Sequence, residues 1–281
     1  MRLLRIPYDA YVRFIADDGW AIGGYIALTT LMSLFPFLIV VTELAGFLST
    51  KDIADQVAQL LLDAWPKEVA TPIADEIRDV LTTVRGSALT LGAVLGVYFS
   101  SSCVESLRVG LNRAYSIKET RNWVVLRLES IGYVLVAAVG LLALSFLVVL
   151  GPLVFRTALL YAPWLAEVES HFNIGRFVVA SVLLITSLLI LHMWLPAGRR
   201  RFAEVWPGIV ATLAMWLTCG FVFGRYLSDF SYTYVNYYAG LASAMMALVF
   251  LYFTALIFIY GGELNAAIAR LREDGTELPL S

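Results

Sequence analysis

The sequence predicts an all-α integral membrane protein with six transmembrane helices and both termini in the cytoplasm. Three observations predict it. Of 281 residues, 60 % are hydrophobic and only 15 % charged, against about 45–50 % and about 25 % in a soluble domain. Mean hydropathy is +0.78. The excess lies in long apolar blocks, of the roughly 20 residues a helix needs to cross about 30 Å of hydrocarbon, and the charges gather between them.

Six blocks meet that length: 20–46, 87–107, 131–155, 175–195, 205–225 and 240–264. The third, Ile131 to Phe155, carries no charge. Unpaired backbone amides are costly in lipid and no alternating barrel pattern appears, so each span is helical. The first block runs about 27 residues, too long for the core of a cleavable signal sequence. Orientation follows from Lys and Arg. With the N-terminus inside, 13 of the 20 fall on cytoplasmic segments and 7 outside. Arg199-Arg200-Arg201 forms a dense basic stop, whereas 226–239 has neither Lys nor Arg. One transmembrane domain covers 1–272, followed by a short polar tail, 273–281.

The outer loop, 47–86, reads as two amphipathic helices. Ile53, Val57, Leu60, Leu61 and Ala64 recur at helical spacing, Pro66 interrupts, and Ile73, Ile77, Val80, Leu81 and Val84 repeat the pattern. Their other side is acidic, with Asp52, Asp55, Asp63, Asp75, Glu76 and Asp79. They would cap the bundle, or act as a gate or docking surface. No internal repeat is visible; six spans merely permit the inverted arrangement typical of transporters.

Several functions are disfavoured. Net charge is −2, so no nucleic-acid partner is expected. Cys103 and Cys219 lie in apolar segments and read as packing residues, not a disulfide framework. His171, in an outer loop, and His192, near the inner end of the fourth span, stand alone, so no metal site is expected. No cofactor is implied. The phosphate-loop, Gly-x-Ser-x-Gly and His-Glu-x-x-His patterns are absent, so an enzyme is not expected.

Polar residues inside the blocks are the candidate functional groups. Pro36, in the middle of the first span, removes a backbone hydrogen bond and should kink the helix, as a hinge or cavity wall. Gly23 and Gly24 loosen its start. In the second span, Gly92, Gly96, Ser100 and Cys103 form a small face for close packing, within one chain or across a homo-oligomer. Ser101, Glu105, Arg108 and Asn112 lie opposite. Glu105 and Arg108, three residues apart, are placed to pair. They face a bundle interior or cavity, or else sit as interfacial charges. The sixth span ends Tyr260-Gly261-Gly262-Glu263-Leu264-Asn265. Tyr252, Tyr260 and Glu263 share a face, and Glu263 is placed to meet Arg108 or Glu105, as a structural ion pair or a proton or cation site. Between spans five and six, Ser231 to Tyr238 holds four tyrosines, an aromatic belt or a cation–π entrance.

The motifs then add up to a resemblance. Tyr25 to Pro36, Leu111-Asn112-Arg113-Ala114-Tyr115 leading to Arg121, Leu195-Pro196 before the basic loop, Trp206-Pro207-Gly208, and Gly262-Glu263-Leu264-Asn265-Ala266 follow in order. In sequence and spacing, over about residues 10–270, this resembles the YihY/BrkB family of bacterial inner-membrane proteins. The resemblance implies six helices in the inner membrane, and links to small-solute transport and lipid export. Some members carry a ribonuclease label (ribonuclease BN), which would need an extended basic surface. Where the family reads tyrosine-glycine-serine-leucine, this chain has Tyr238-Ala239-Gly240-Leu241.

The expected function is a transporter or permease for a small polar or zwitterionic solute in the lipid bilayer. Its cavity would lie between spans one, two and six. Glu105, Arg108, Asn112, Tyr260, Glu263 and Asn265 would line it, with Pro36 as hinge. The alternatives are movement of an anionic lipid between leaflets, and an envelope-integrity scaffold without catalysis.

Overall fold

A computed structural model describes residues 2–47, 89–145, 155, 169–238 and 241–276. Among them lie seven helices and no strand: α1 (Arg2–Ala16), α2 (Gly19–Phe47), α3 (Leu89–Ala114), α4 (Trp123–Ser145), α5 (Glu169–Trp194), α6 (Phe202–Tyr238) and α7 (Ala242–Thr276). Five are long and apolar enough to cross a membrane: Gly19–Val41, Trp123–Leu144, Ile174–Trp194, Phe202–Asp229 and Ala242–Arg272. The block at 87–107 forms α3. At 26 residues it spans about 39 Å, but Ser100 to Ser102, Glu105, Arg108 and Asn112 dilute its apolar character, and it is not one of the five. The outer helices expected at 47–86 lie, past Phe47, outside the described residues.

The structure adds helical segments to the sequence reading and corrects the place of His171. Arg2–Ala16 is a helix of its own ahead of the first span, in which Ala10 and Phe14 recur four apart and are buried against the bundle. His171 lies in the first turn of α5 rather than a loop. Ser231 to Tyr238 continues α6 as helix. In addition, α7 runs to Thr276, into the expected polar tail.

The helices are inside-out relative to a soluble protein. Val136 and Val139 of α4, Phe177, Val178 and Val182 of α5, and Leu217 and Phe221 of α6 are all exposed. Water would penalise an apolar surface of that extent; hydrocarbon does not. The chain is therefore a multi-helix membrane protein.

α2 and α7 are central. α2 packs most extensively on α3, α7 on α6 and α2, and α1 crosses α7. Phe14, Ile22, Ile26, Leu111, Leu188, Leu195, Ile209, Phe258 and Ile259 form one core where α1, α2, α3, α5, α6 and α7 meet. Leu38, Phe223, Leu227 and Met246 form a second, further along α2, α6 and α7.

The small face of α3 works within the chain. A Cβ on Gly96 would stand 3.1 Å from the carbonyl oxygen of Pro36. Ser33 donates to the carbonyl of Phe99 at 3.0 Å, Thr29 to Ser106 at 2.8 Å, and Thr30 lies 3.3 Å from the Cys103 sulfur. Helix α2 continues through Pro36. Both cysteines are free.

The turns at one end of the bundle use local chemistry. Asp18 and Ser116 adopt positive φ of 54°, ending α1 and α3 in left-handed caps. Asn122 accepts from the Val124 amide at 3.0 Å to start α4. Glu204 accepts from the Arg201 amide at 3.0 Å, the return bond of a capping box at the start of α6.

Candidate functional site

The candidate residues gather at that same end, where α3, α5 and α7 finish and α4 and α6 begin. Their connections begin with a proline. Pro207, in the second turn of α6, has no N–H for the carbonyl four residues earlier, which belongs to Ala203. Arg272 of α7 donates to that carbonyl at 3.3 Å. The next amide, Gly208, donates to Asn265 Oδ1 at 2.6 Å. Asn265 is buried and reaches α6 only because Gly208 and Gly261 lack side chains: a Cβ on Gly208 would collide with the Gly261 carbonyl and the Asn265 amide. Gly262 faces the other way, towards Leu111 and Ala114 of α3. Adjacent glycines thus let α7 lie close to two helices at once.

From Asn265 a hydrogen-bond chain continues. Its Nδ2 donates to Tyr115 Oη at 3.3 Å, and Tyr115 Oη lies 3.1 Å from His192 Nδ1. The Tyr115 hydroxyl and His192 Nδ1 share one hydrogen bond, whose direction goes with the histidine tautomer. Burial pushes the Tyr115 phenol up to about 12. Tyr115→Phe should therefore cost about 1–3 kcal/mol of unfolding free energy, because Asn265 and His192 both lose a buried partner; a melt in detergent no different from wild type would contradict this chain. The Arg200 guanidinium stacks on the Tyr115 ring, 3.8 Å from its centre. Its Nη1 and Nη2 are buried with no acceptor, and burial lowers its pKa.

A second network joins α3 to α4. The expected Glu105–Arg108 pair does not form. Glu105 instead pairs with Arg127 of α4 at 2.8 Å, and Arg127 also donates to the Tyr98 carbonyl at 2.8 Å and stacks on its ring. Arg108, 2 % exposed, donates to Ser130 at 2.9 Å and the Leu126 carbonyl at 3.1 Å, with Glu129 3.7 Å away. α4 wins because it presents a guanidinium and a row of acceptors at full hydrogen-bond reach, whereas an i, i+3 pair on one helix is worth only about 0.2–0.5 kcal/mol. Arg121 then ties the ends together. It grips both oxygens of Glu119 (2.9 and 2.8 Å), pairs with Glu129 at 2.8 Å and donates to the Leu195 carbonyl at 3.1 Å. That grip holds the Glu119 carboxyl at about 2 and raises Arg121. Asn112 donates to Glu119 at 3.0 Å and accepts from the Ala197 amide at 2.7 Å.

Glu263 meets neither Arg108 nor Glu105, the second departure from expectation. It is 0 % exposed, and neither carboxyl oxygen receives a hydrogen bond. Its charged neighbours are Asp17 and Arg13 from α1 and the turn after it, and Arg270 one face along α7. Tyr260, on the same face, donates to the Pro7 carbonyl of α1 at 3.1 Å. Sequence spacing misses Arg127, Glu129, Asp17 and Arg270 as partners, since 22 residues separate Glu105 from Arg127 and no periodicity links them. Among the described residues, no three His, Cys, Asp or Glu side chains gather as a metal ion would require.

The segments that carried the resemblance are thus in mutual contact. Asn112 and Tyr115 touch the turn after α5 and Asn265; Trp206-Pro207-Gly208 touches Gly261 to Asn265. The family model described as "Virulence factor BrkB" matches residues 10–279. The chain belongs to the BrkB family. Among BrkB-like proteins it is 24 % identical over 273 residues to "Putative ribonuclease-like protein YfkH" of Bacillus subtilis (strain 168), covering 96 % of this chain and 98 % of that one. It is 24 % identical over 267 residues to a "UPF0761 membrane protein" of Rhodospirillum centenum, covering 94 % of this chain and 57 % of that longer protein. No solved structure matches.

Proposed function

We propose that this BrkB-family protein is a transporter or permease for a small polar or zwitterionic solute. In this reading α3 is the sixth span, both termini are cytoplasmic, and the membrane is the bacterial inner membrane. One observation carries it. Glu263 is wholly buried in an apolar helix, and no donor satisfies it. An ionisable group at membrane depth is expensive, and one not used in a structural pair is a functional candidate. In this reading Glu105, Arg108, Asn112, Tyr260 and Asn265 would complete the polar path towards it at the same end of the bundle. Their present hydrogen bonds are those a passing solute would exchange, with Pro36 as the hinge of α2. The basic segment Arg199 to Arg201 supports a cytoplasmic assignment for this end. The ribonuclease-like name belongs to the B. subtilis relative.

A second reading is supported by Arg200. Buried Nη atoms without an acceptor, beside Arg199 and Arg201, suit an anionic lipid headgroup. One experiment separates the two. The protein is reconstituted in liposomes, and uptake of labelled zwitterionic, cationic and anionic solutes is measured with and without a proton gradient. Saturable uptake lost in Glu263→Gln supports transport. No solute uptake, with labelled anionic lipid crossing the bilayer in wild type and not in Arg200→Ala, replaces it by the lipid reading. Neither activity would overturn both and leave the scaffold.

A further inference from the structure

Around Glu263 two carboxyls meet at a helix junction. Asp17, in the turn that closes α1, has its carboxyl next to the Glu263 carboxyl, close enough for one to hydrogen-bond to the other. As carboxylates both are acceptors only, which is why neither Glu263 oxygen has a donor. Arg13 and Arg270 lie nearby, and Asp9 of α1 faces Arg270; neither arginine forms a hydrogen bond to Glu263. Tyr115, from the turn after α3, also lies within electrostatic range of Glu263. The two carboxyls of Glu263 and Asp17 therefore meet with no donor between them. Two adjacent carboxyls in a low-dielectric site do not both stay ionised. A proton held between them gives each carboxyl a partner and removes one of the two facing charges.

We propose that Glu263 and Asp17 share one bound proton across the α1–α7 contact, and that this proton latches α1 onto the bundle. It names the coupling ion of the Glu263 site, and its part in transport rests on the transport reading.

The turn holding Asp17 is well fixed. Its amide donates to the Arg13 carbonyl at 2.7 Å, and its neighbour Asp18 pairs with Arg113 at the end of α3 at 2.7 Å. Asp17 is itself half-buried, so the shared proton has a route to water. α1 is otherwise held by modest contacts: the buried Ala10 and Phe14, an edge-on contact of Phe14 with Tyr260, and the Tyr260 hydrogen bond to Pro7. Its outer side, with Tyr8, Tyr11, Val12 and Ile15 exposed, has the spacing of a helix lying at a membrane surface. Loss of the proton leaves two carboxylates facing each other at this junction, and their repulsion drives α1 outward. Proton occupancy at Glu263 thus sets the position of a surface helix.

The test needs no transported substrate. Infrared difference spectra of the full-length protein in phosphatidylcholine vesicles are recorded as pH is raised. Wild type should show the carbonyl stretch of a protonated carboxylic acid that titrates away with a single midpoint. Glu263→Gln should lose it. Asp17→Asn should move the midpoint to lower pH, because an amide can donate to Glu263 where a carboxylate repels it. Hydrogen exchange of residues 2–16 should accelerate above the wild-type midpoint and become independent of pH in Glu263→Gln. The shared proton is overturned by no titrating band in wild type, by a band retained in Glu263→Gln, or by an unmoved midpoint in Asp17→Asn. Exchange of α1 that stays flat across the wild-type titration overturns the latch. Should Glu263→Gln not fold, the wild-type titration and the Asp17→Asn shift decide alone. Solute uptake without the band sinks the proton site and spares transport; the band without uptake does the reverse.

Discussion

Gly208→Ala is expected to destabilise the protein by roughly 3 kcal/mol or to prevent its accumulation, while Gly220→Ala and Gly224→Ala, in the same helix, are expected to be neutral or stabilising. The added methyl at 208 meets the Gly261 carbonyl and the Asn265 amide. Over-packing against adjustable side chains costs about 1–3 kcal/mol, and here one obstacle is backbone, which cannot rotate away. The collision also displaces Asn265 from the Gly208 amide and so breaks the chain through Tyr115 to His192. At 220 and 224 nothing lies within 4 Å, and alanine gains up to about 1 kcal/mol of helix propensity over glycine. Gly261→Ala should match Gly208→Ala, since its Cβ meets Thr212 of the same facing turn. Thermal unfolding of the four purified variants in one detergent measures this. Equal stability of Gly208→Ala and Gly220→Ala would mean that α6 and α7 do not approach closely here.

What the sequence reveals of this fold follows from the length of its signals. An uninterrupted apolar run such as Ile131 to Leu144 has one stable solution in lipid, so α4 is readable from its residues alone. α1 is not: its 15 residues are too few to span, and its two buried positions, Ala10 and Phe14, stand among Tyr and Arg. α3 is readable as a helix and, by the length of its block, as a span, but its polar residues serve α4 and keep it out of the five most apolar helices. Charge pairing follows the same division. Spacing on one helix predicts Glu105 with Arg108, but the partners are Arg127 and Glu129, supplied by a helix whose rotation no single-helix rule fixes. Glu263 is legible as a costly residue, while its neighbour Asp17 is not, since their proximity depends on where α1 crosses α7. The ordered motifs point to BrkB, and their reason for existing together is contact: Pro207 frees a carbonyl for Arg272, and Gly208 offers an amide to Asn265.

The second large effect concerns Arg121, which joins α4, the turn after α3 and the end of α5. Arg121→Ala is expected to cost roughly 2–3 kcal/mol. Removing one partner of a buried pair costs about 3–5 kcal/mol, and solvent reduces that here because Arg121 and Glu119 are 26 % and 22 % exposed. Arg121→Lys should recover only part, since one ammonium cannot grip both Glu119 oxygens while reaching Glu129 and the Leu195 carbonyl. Acid separates the ion pair from simple packing. Glu119 titrates at about 2 in the folded protein against 4.5 ordinarily. Its stabilisation is complete above about 4.5, falls as pH drops through that window, and is gone below about 2; it amounts to roughly 3 kcal/mol at most. In Arg121→Ala the folded value moves back towards the unfolded one, although Asn112 and the backbone amides still bond Glu119, so the variant should lose less stability than wild type over the same acid range. Unfolding free energies measured in detergent from about pH 6 to about pH 2 test this. Parallel acid profiles would mean that the Glu119 carboxylate is not held by Arg121, and the joint between α3, α4 and α5 would then rest on Asn112 and its bond to Ala197.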